Sequence, residues 1–266
     1  MYEIIYEETM QQLLSYLYTM KIKYTLILST ALSLSVSTFA QYSGADFPQA
    51  YGSFNAGYAM PIGSFGASTS ADWTGYAKGG ASYTIQVGIP VAHSNFGVAI
   101  MAGYNNNKFD AAAYGTNLAK ADTGNSYSTV TVAAYTQYYL MTGLLVTSNT
   151  ISGFSVDGHL EIGVDYINYP NPYWTTTSIR SRAQAQLFLT TSPTTTLAIA
   201  IGGAAHYAFD NGFTVLANIN FMHTGASANT TLITDNKAGQ TITYPTNSVS
   251  MSCLSISLGL GYSLGN

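Results

Sequence analysis

Phe154-Ser155-Val156-Asp157-Gly158-His159-Leu160-Glu161-Ile162-Gly163-Val164-Asp165-Tyr166 separates cleanly at a period of two. One face carries Phe154, Val156, Gly158, Leu160, Ile162, Val164 and Tyr166, and the other Ser155, Asp157, His159, Glu161, Gly163 and Asp165. Successive side chains of a strand point to opposite faces, so unbroken alternation over this stretch predicts a β-strand and not a helix. A soluble sheet alternates too, with its apolar face on a core. Elsewhere in this chain too few polar stretches remain to cover such a core. The pattern therefore predicts an apolar face on lipid and a polar face on a closed lumen, as in a strand of a transmembrane β-barrel.

Composition agrees. The chain has 266 residues, a formal charge of −4 and only 8% charged residues, against about 25% in soluble domains. Ser, Thr, Asn, Gly and Tyr replace the missing charge, and with 47% of residues apolar the chain is not of the disordered type. After residue 40 no apolar run approaches the roughly 18 residues of a membrane-spanning helix. Eight Lys and Arg in all, with no basic run, exclude a nucleic-acid partner. Cys253 is the only cysteine, so neither an intrachain disulfide nor a cysteine-pair metal site is possible, and no cofactor is expected.

Met20-Lys21-Ile22-Lys23 is a short basic segment, residues 24–36 are an apolar run, and Thr38-Phe39-Ala40 before Gln41 fits a small-x-small cleavage site. Residues 20–40 thus read as a secretory signal peptide, cleaved after Ala40. Residues 1–19 precede it with Glu3, Glu7 and Glu8, and read as an upstream extension or a misassigned start, with translation beginning at Met20. The first forty residues hold two lysines and three glutamates, leaving six basic and nine acidic residues in 41–266, net −3.

Within 41–266 the same alternation predicts eight strands, at 51–61, 80–91, 96–105, 127–146, 154–166, 194–209, 213–224 and 249–264. Asp210-Asn211-Gly212 is a tight-turn signal between two of them. The phase of the eighth slips near Cys253, which predicts a bulge or the membrane edge. Part of 168–193 alternates at Ala183, Ala185, Leu187 and Leu189, so an extra hairpin there is possible. The connections run long, short, long, short, long, short, long. Outer-membrane barrels join an even number of strands by short periplasmic turns and longer extracellular loops, which puts both termini in the periplasm. Phe96, Phe154, Phe209 and Phe213 fall on the apolar face beside short turns, and Tyr104 and Tyr166 beside long ones, as two interfacial girdles would.

Two local features strengthen the pattern: Tyr58-Ala59-Met60-Pro61-Ile62-Gly63-Ser64-Phe65, where the first strand ends, and Gly75-Tyr76-Ala77-Lys78-Gly79-Gly80, which opens the second. With the architecture they make the chain resemble the small eight-stranded outer-membrane barrels of the OmpA, OmpX and OmpW type, the porin-family β-barrel domain. The resemblance implies an all-β fold, an eight-stranded antiparallel up-and-down transmembrane barrel over 41–266. It implies the outer membrane of a Gram-negative bacterium, with outer-membrane lipid, lipopolysaccharide and the barrel-assembly machinery as partners. Such barrels often end in an aromatic assembly signal. This chain ends Tyr262-Ser263-Leu264-Gly265-Asn266, which places the signal at Tyr262. No peptidoglycan-binding domain is expected after the last strand.

The predicted lumen is chemically unusual. The fifth strand brings three carboxylates and His159 to it, while the nearest lumen-phase cations are Lys78, Arg180 and Arg182 at the barrel mouth. Buried carboxylates need partners or take up protons. Counting register from the short turns places Asp157 level with His206, Glu161 level with Gln137, and His159 near Tyr139. The plain reading of Asp157, His159, Glu161, Asp165, His206, Gln137 and Tyr139 is a packed polar network, since eight strands leave room for side chains and little else. The functional readings are a proton- or cation-linked site, or a narrow solute path.

Some barrels of this kind are lipid-A deacylases, acyltransferases or proteases, and the deacylases carry a His-x-Ser pair. Here Met222-His223-Thr224-Gly225 has the histidine and lacks that serine. Ser155, Asp157 and His206 could form a triad, but at the end away from surface lipid. No enzyme is expected. His93 reads as a solvated turn residue, and Trp73 and Trp174 as loop-packing residues. The expected role is structural or surface interaction, carried by the connections 62–78, 105–126, 168–193 and 225–247 toward an unidentified external ligand. The alternative is a narrow porin or porter for small or hydrophobic solutes.

Overall fold

The computed structural model describes residues 48–68, 75–91, 94–121, 125–129, 134–171, 173–182, 184–228, 230–235, 240–243 and 247–264. Eight strands close a barrel: β1 (Ala50–Ile62), β2 (Ala77–Pro90), β3 (Phe96–Phe109), β5 (Ala134–Thr147), β6 (Phe154–Asn168), β9 (Thr194–Ala208), β10 (Phe213–Ala228) and β13 (Asn247–Leu264). Their order round the wall is β1-β13-β10-β9-β6-β5-β3-β2. Every neighbouring pair is antiparallel, and β1 against β13 closes the ring.

The faces divide as the alternation predicts. Along β6, Leu160 is 50% exposed on the outside while Glu161 is 1% exposed on the inside. Large apolar side chains stand exposed on the outer face of every barrel strand, among them Phe54, Ile85, Val98, Leu140, Leu160, Ile199, Ile219 and Leu258. An apolar band of that extent does not suit water and fits lipid. Aromatic rings run across it. Tyr83, Tyr104, Tyr138 and Tyr166 are register partners on four successive strands. Their rings follow one another at centroid distances of 6.4, 4.9 and 6.4 Å. Tyr207, Phe209 and Phe213 gather at the short-turn end.

The long connections are structured. α1 (Ala111–Ala121) lies in the stretch read as a loop after the third strand. Its sequence is rich in alanine, the best helix former, and Asp110 caps it by accepting from Ala113 N–H at 3.1 Å. Five further strands, β4 (Asn125–Thr129), β7 (Tyr173–Ser178), β8 (Gln184–Thr191), β11 (Thr230–Asp235) and β12 (Gln240–Thr243), form a second sheet in the order β12-β11-β8-β7-β4. The hairpin in 168–193 is therefore real, with β7 and β8 as its arms.

Three expectations are corrected. The fourth predicted strand, 127–146, is not one strand, because β4 pairs with β7 in the second sheet and only β5 joins the barrel. Period-two alternation identifies a strand and not its partner, so the change of sheet leaves no mark in the sequence. Of the two readings of the phase slip near Cys253, the bulge is overturned, because β13 keeps register through it against both β1 and β10. The apparent slip arises because Met251 and Cys253, though apolar, face inward and are buried. Register between the fourth and fifth predicted strands is also different. That turn centres on Ser152 and Gly153, at φ 51° and 81°, with Ile151 and Phe154 exchanging backbone hydrogen bonds of 2.9 Å across it. Two residues with positive φ make the tight hairpin turn that suits strand twist. Glu161 consequently faces Gly143, Gln137 faces Ile167, and His159 faces Leu145.

Candidate functional site

The lumen is filled in layers from side chains that alternation turns inward. Nearest the short turns, Tyr51 of β1 donates to Asp157 Oδ2 at 2.5 Å and Gln86 of β2 donates to the Tyr51 hydroxyl at 3.4 Å. His206 Nε2 lies 2.9 Å from the same carboxylate oxygen, and its ring stands edge-on to Tyr51 at 4.6 Å. The register partner of Asp157 is Ala204, and that of His206 is Ser155. The predicted pairing of Asp157 with His206 therefore forms diagonally, one lumen step off level.

In the next layer His159 Nε2 meets Asn220 Oδ1 at 2.9 Å and Nδ1 lies 3.3 Å from Glu161 Oε1. A Cβ at Gly202 would collide with Asn220 Oδ1 and His159 Nε2, so the bare backbone of β9 makes room for this pair. The contact to Glu161 has ion-pair distance without hydrogen-bond alignment, and neither Glu161 oxygen has a hydrogen-bond partner among the described residues. Met101, Met141, Ala198, Ala200 and Met222 supply the apolar remainder at this level.

Toward the long connections, Asp165 Oδ2 accepts from Gln137 Nε2 at 3.0 Å and from Thr224 Oγ1 at 3.1 Å. Tyr139 is the register partner of Asp165 and not of His159, and its hydroxyl meets Thr84 Oγ1 at 3.2 Å. The cluster predicted from sequence thus divides into three carboxylate-centred groups, on Asp157, Glu161 and Asp165. Each acid lies four residues from the next along β6, about 13 Å at strand rise.

None of the predicted mouth cations reaches these acids. Lys78 Nζ pairs with Asp110 Oδ2 at 2.8 Å beside α1. Burial alone would raise Asp110, but the Lys78 hydrogen bond, the Ala113 N–H and the Lys78 charge outweigh it and hold the carboxyl below its ordinary value. Arg180 and Arg182 are exposed in the turn between β7 and β8. What occupies the mouth instead is an apolar cluster that the sequence did not single out. Phe65, Tyr76, Phe109, Tyr114, Tyr135, Ile167 and Trp174 bury one another there, with Met251 and Cys253. Trp174 donates from Nε1 to the Ala111 carbonyl at 3.2 Å, so it is indeed a packing residue. Trp73 and His93 lie outside the described residues.

His223 Nδ1 lies 2.9 Å from Ser252 Oγ on the adjacent strand. No carboxylate among the described residues joins that pair. Ser155 is level with His206 without a hydrogen bond to it.

No family model matches the sequence, and no curated protein does. Solved structures do. A major outer membrane protein from Thermus thermophilus aligns at TM-score 0.45 and 12% identity, over 82% of this chain and 100% of that one. Neisserial surface protein A aligns at TM-score 0.45 and 11% identity, over 84% and 100%. The outer membrane protease OmpT from Escherichia coli aligns at TM-score 0.40 and 10% identity, over 85% and 100%. The chain is thus similar to small outer-membrane barrels, and its own ladder closes the eight-stranded barrel that its sequence resembles.

Proposed function

We propose that this protein is a surface-interaction barrel of the outer membrane of a Gram-negative bacterium, acting through its long connections and not through its lumen. One observation carries the reading. Lumen side chains are packed and buried from the Tyr51 layer to the aromatic cluster at the mouth, whereas the long connections build a helix and a second sheet of five strands. A chain selected to conduct has no use for a mouth filled by Phe65, Tyr135 and Trp174. In this reading the short turns and both termini face the periplasm. The barrel-assembly machinery inserts the chain, lipopolysaccharide surrounds its outer rim, and the second sheet meets the external ligand.

The second reading is a narrow porter for small or hydrophobic solutes, and what favours it is the buried Glu161 carboxyl group in the lumen, whose oxygens have no hydrogen-bond partner among the described residues. Planar-bilayer recording on the purified, refolded protein separates the two. A silent bilayer is expected, and steady single-channel openings would overturn the surface-interaction reading.

A further inference from the structure

The chain has two arginines, Arg180 and Arg182, and both fall in the turn between β7 and β8. The turn is a built one. Arg182 N–H donates to the Ser178 carbonyl at 2.9 Å, Ser181 N–H donates to Ser178 Oγ at 3.3 Å, and Arg182 sits at φ 57°. Both guanidinium side chains are exposed, as is Ile179 beside them at 63%.

Topology adds a third cation. Ser178 pairs with Asn125, the first residue of β4, and Lys120 lies exposed in the last turn of α1, a few residues before it. Three of the six basic residues after residue 40 therefore gather at one end of the second sheet, in a chain whose net charge is negative. Among the described residues, no carboxylate pairs with any of them, while Lys78 has Asp110. The strands around them are uncharged but for Asp235, being mostly Ser, Thr, Gln and apolar residues.

The same topology places this end far from the barrel. Each strand of the second sheet meets its barrel strand at the opposite end, as where β6 leads into β7 and β8 into β9. The length of β7, six residues, separates the two ends by roughly 20 Å at strand rise. That is several times the thickness of a phospholipid headgroup layer, roughly 5–8 Å, so along these strands the turn is well removed from their junctions with the barrel and open to a polymeric partner. Paired guanidinium forks suit oxyanions, which they bind bidentately.

We propose that the Arg180–Arg182 turn, supported by Lys120, docks an anionic polysaccharide bearing sulfate or phosphate groups. The proposal rests on the surface-interaction reading and names the chemistry of its ligand.

The test uses the full chain refolded in zwitterionic detergent, with dextran sulfate as probe and neutral dextran as reference. Dextran sulfate should bind and neutral dextran should not, with affinity falling as salt rises. Arg180→Gln/Arg182→Gln should lower the affinity at least tenfold with unchanged heat-modifiable gel mobility, and Lys78→Gln should not. Equal binding of the double variant and wild type overturns the proposal. So does binding to phosphatidylglycerol vesicles without binding to dextran sulfate, which reassigns the turn to a lipid surface. A silent bilayer with no polymer binding sinks this inference alone, whereas open channels sink the reading beneath it.

Discussion

His159→Gln should be among the most damaging conservative substitutions in the barrel. His159 Nδ1 is the one basic nitrogen that the described residues bring to the Glu161 carboxylate, at 3.3 Å, and both side chains are fully buried. Its other nitrogen meets Asn220 at 2.9 Å. Viewed from sequence alone, His159 is a lumen filler whose loss costs about 1–2 kcal/mol, the penalty for an unsatisfied partner. The structure raises that figure. His159→Gln takes the nearest partner from two buried groups, Glu161 Oε1 and Asn220 Oδ1, at about 1–3 kcal/mol for each group left unsatisfied, and Glu161→Gln removes the costlier of the two. His159→Gln should therefore destabilise by about 3 kcal/mol, and His159→Gln/Glu161→Gln should recover most of that loss. Leu160→Arg, one residue away on the lipid face, provides the scale, because a cation at bilayer mid-depth costs about 2–4 kcal/mol. On that scale His159→Gln should be about as damaging as Leu160→Arg. The assay is denaturant unfolding of refolded protein in lipid or detergent, read by heat-modifiable mobility. If the double variant is as unstable as His159→Gln, or His159→Gln lies within about 0.5 kcal/mol of wild type, the pair is not coupled and the reasoning fails.

Asp110→Ala removes both the cap of α1 and the partner of Lys78, and should cost about 1 kcal/mol of local helix stability, with little from the ion pair because Lys78 is 60% exposed. Since folding lowers the Asp110 pKa, its stabilisation is complete above the ordinary carboxylate value near 4 and is lost as pH falls through the lowered folded value. Amide exchange at Ala113 and Tyr114, corrected for intrinsic rates, should separate wild type from variant at pH 7 and converge in acid; a gap that persists in acid would refute the assignment. On intact cells, added protease should cut only within 62–78, 105–126, 168–193 and 225–247. Cuts at 148–153 or 210–212 would mean that the barrel is inserted the other way round.

The sequence by itself determined the wall of the barrel. Alternation is a property of single strands, so the eight barrel strands, their inward and outward faces and most of their bounds were legible residue by residue. It also determined which groups enter the lumen, because Asp157, His159, Glu161 and Asp165 share one phase of one strand. What each of them touches was not determined. A partner depends on register, and register depends on where a hairpin turns. The positive φ of Ser152 and Gly153 moved Glu161 away from Gln137 and His159 away from Tyr139. The diagonal from Asp157 to His206 and the reach of His159 to Asn220 are contacts across a closed lumen, between residues up to 61 positions apart. Only tertiary structure decided that β4 leaves the barrel for a second sheet, since a strand's period is the same whichever neighbour supplies its hydrogen bonds. It alone decided that Phe65, Tyr76, Tyr114, Tyr135 and Trp174 meet at the mouth. They come from different connections and strands, carry no common spacing, and are brought together by burial, which acts on surface area and not on sequence order.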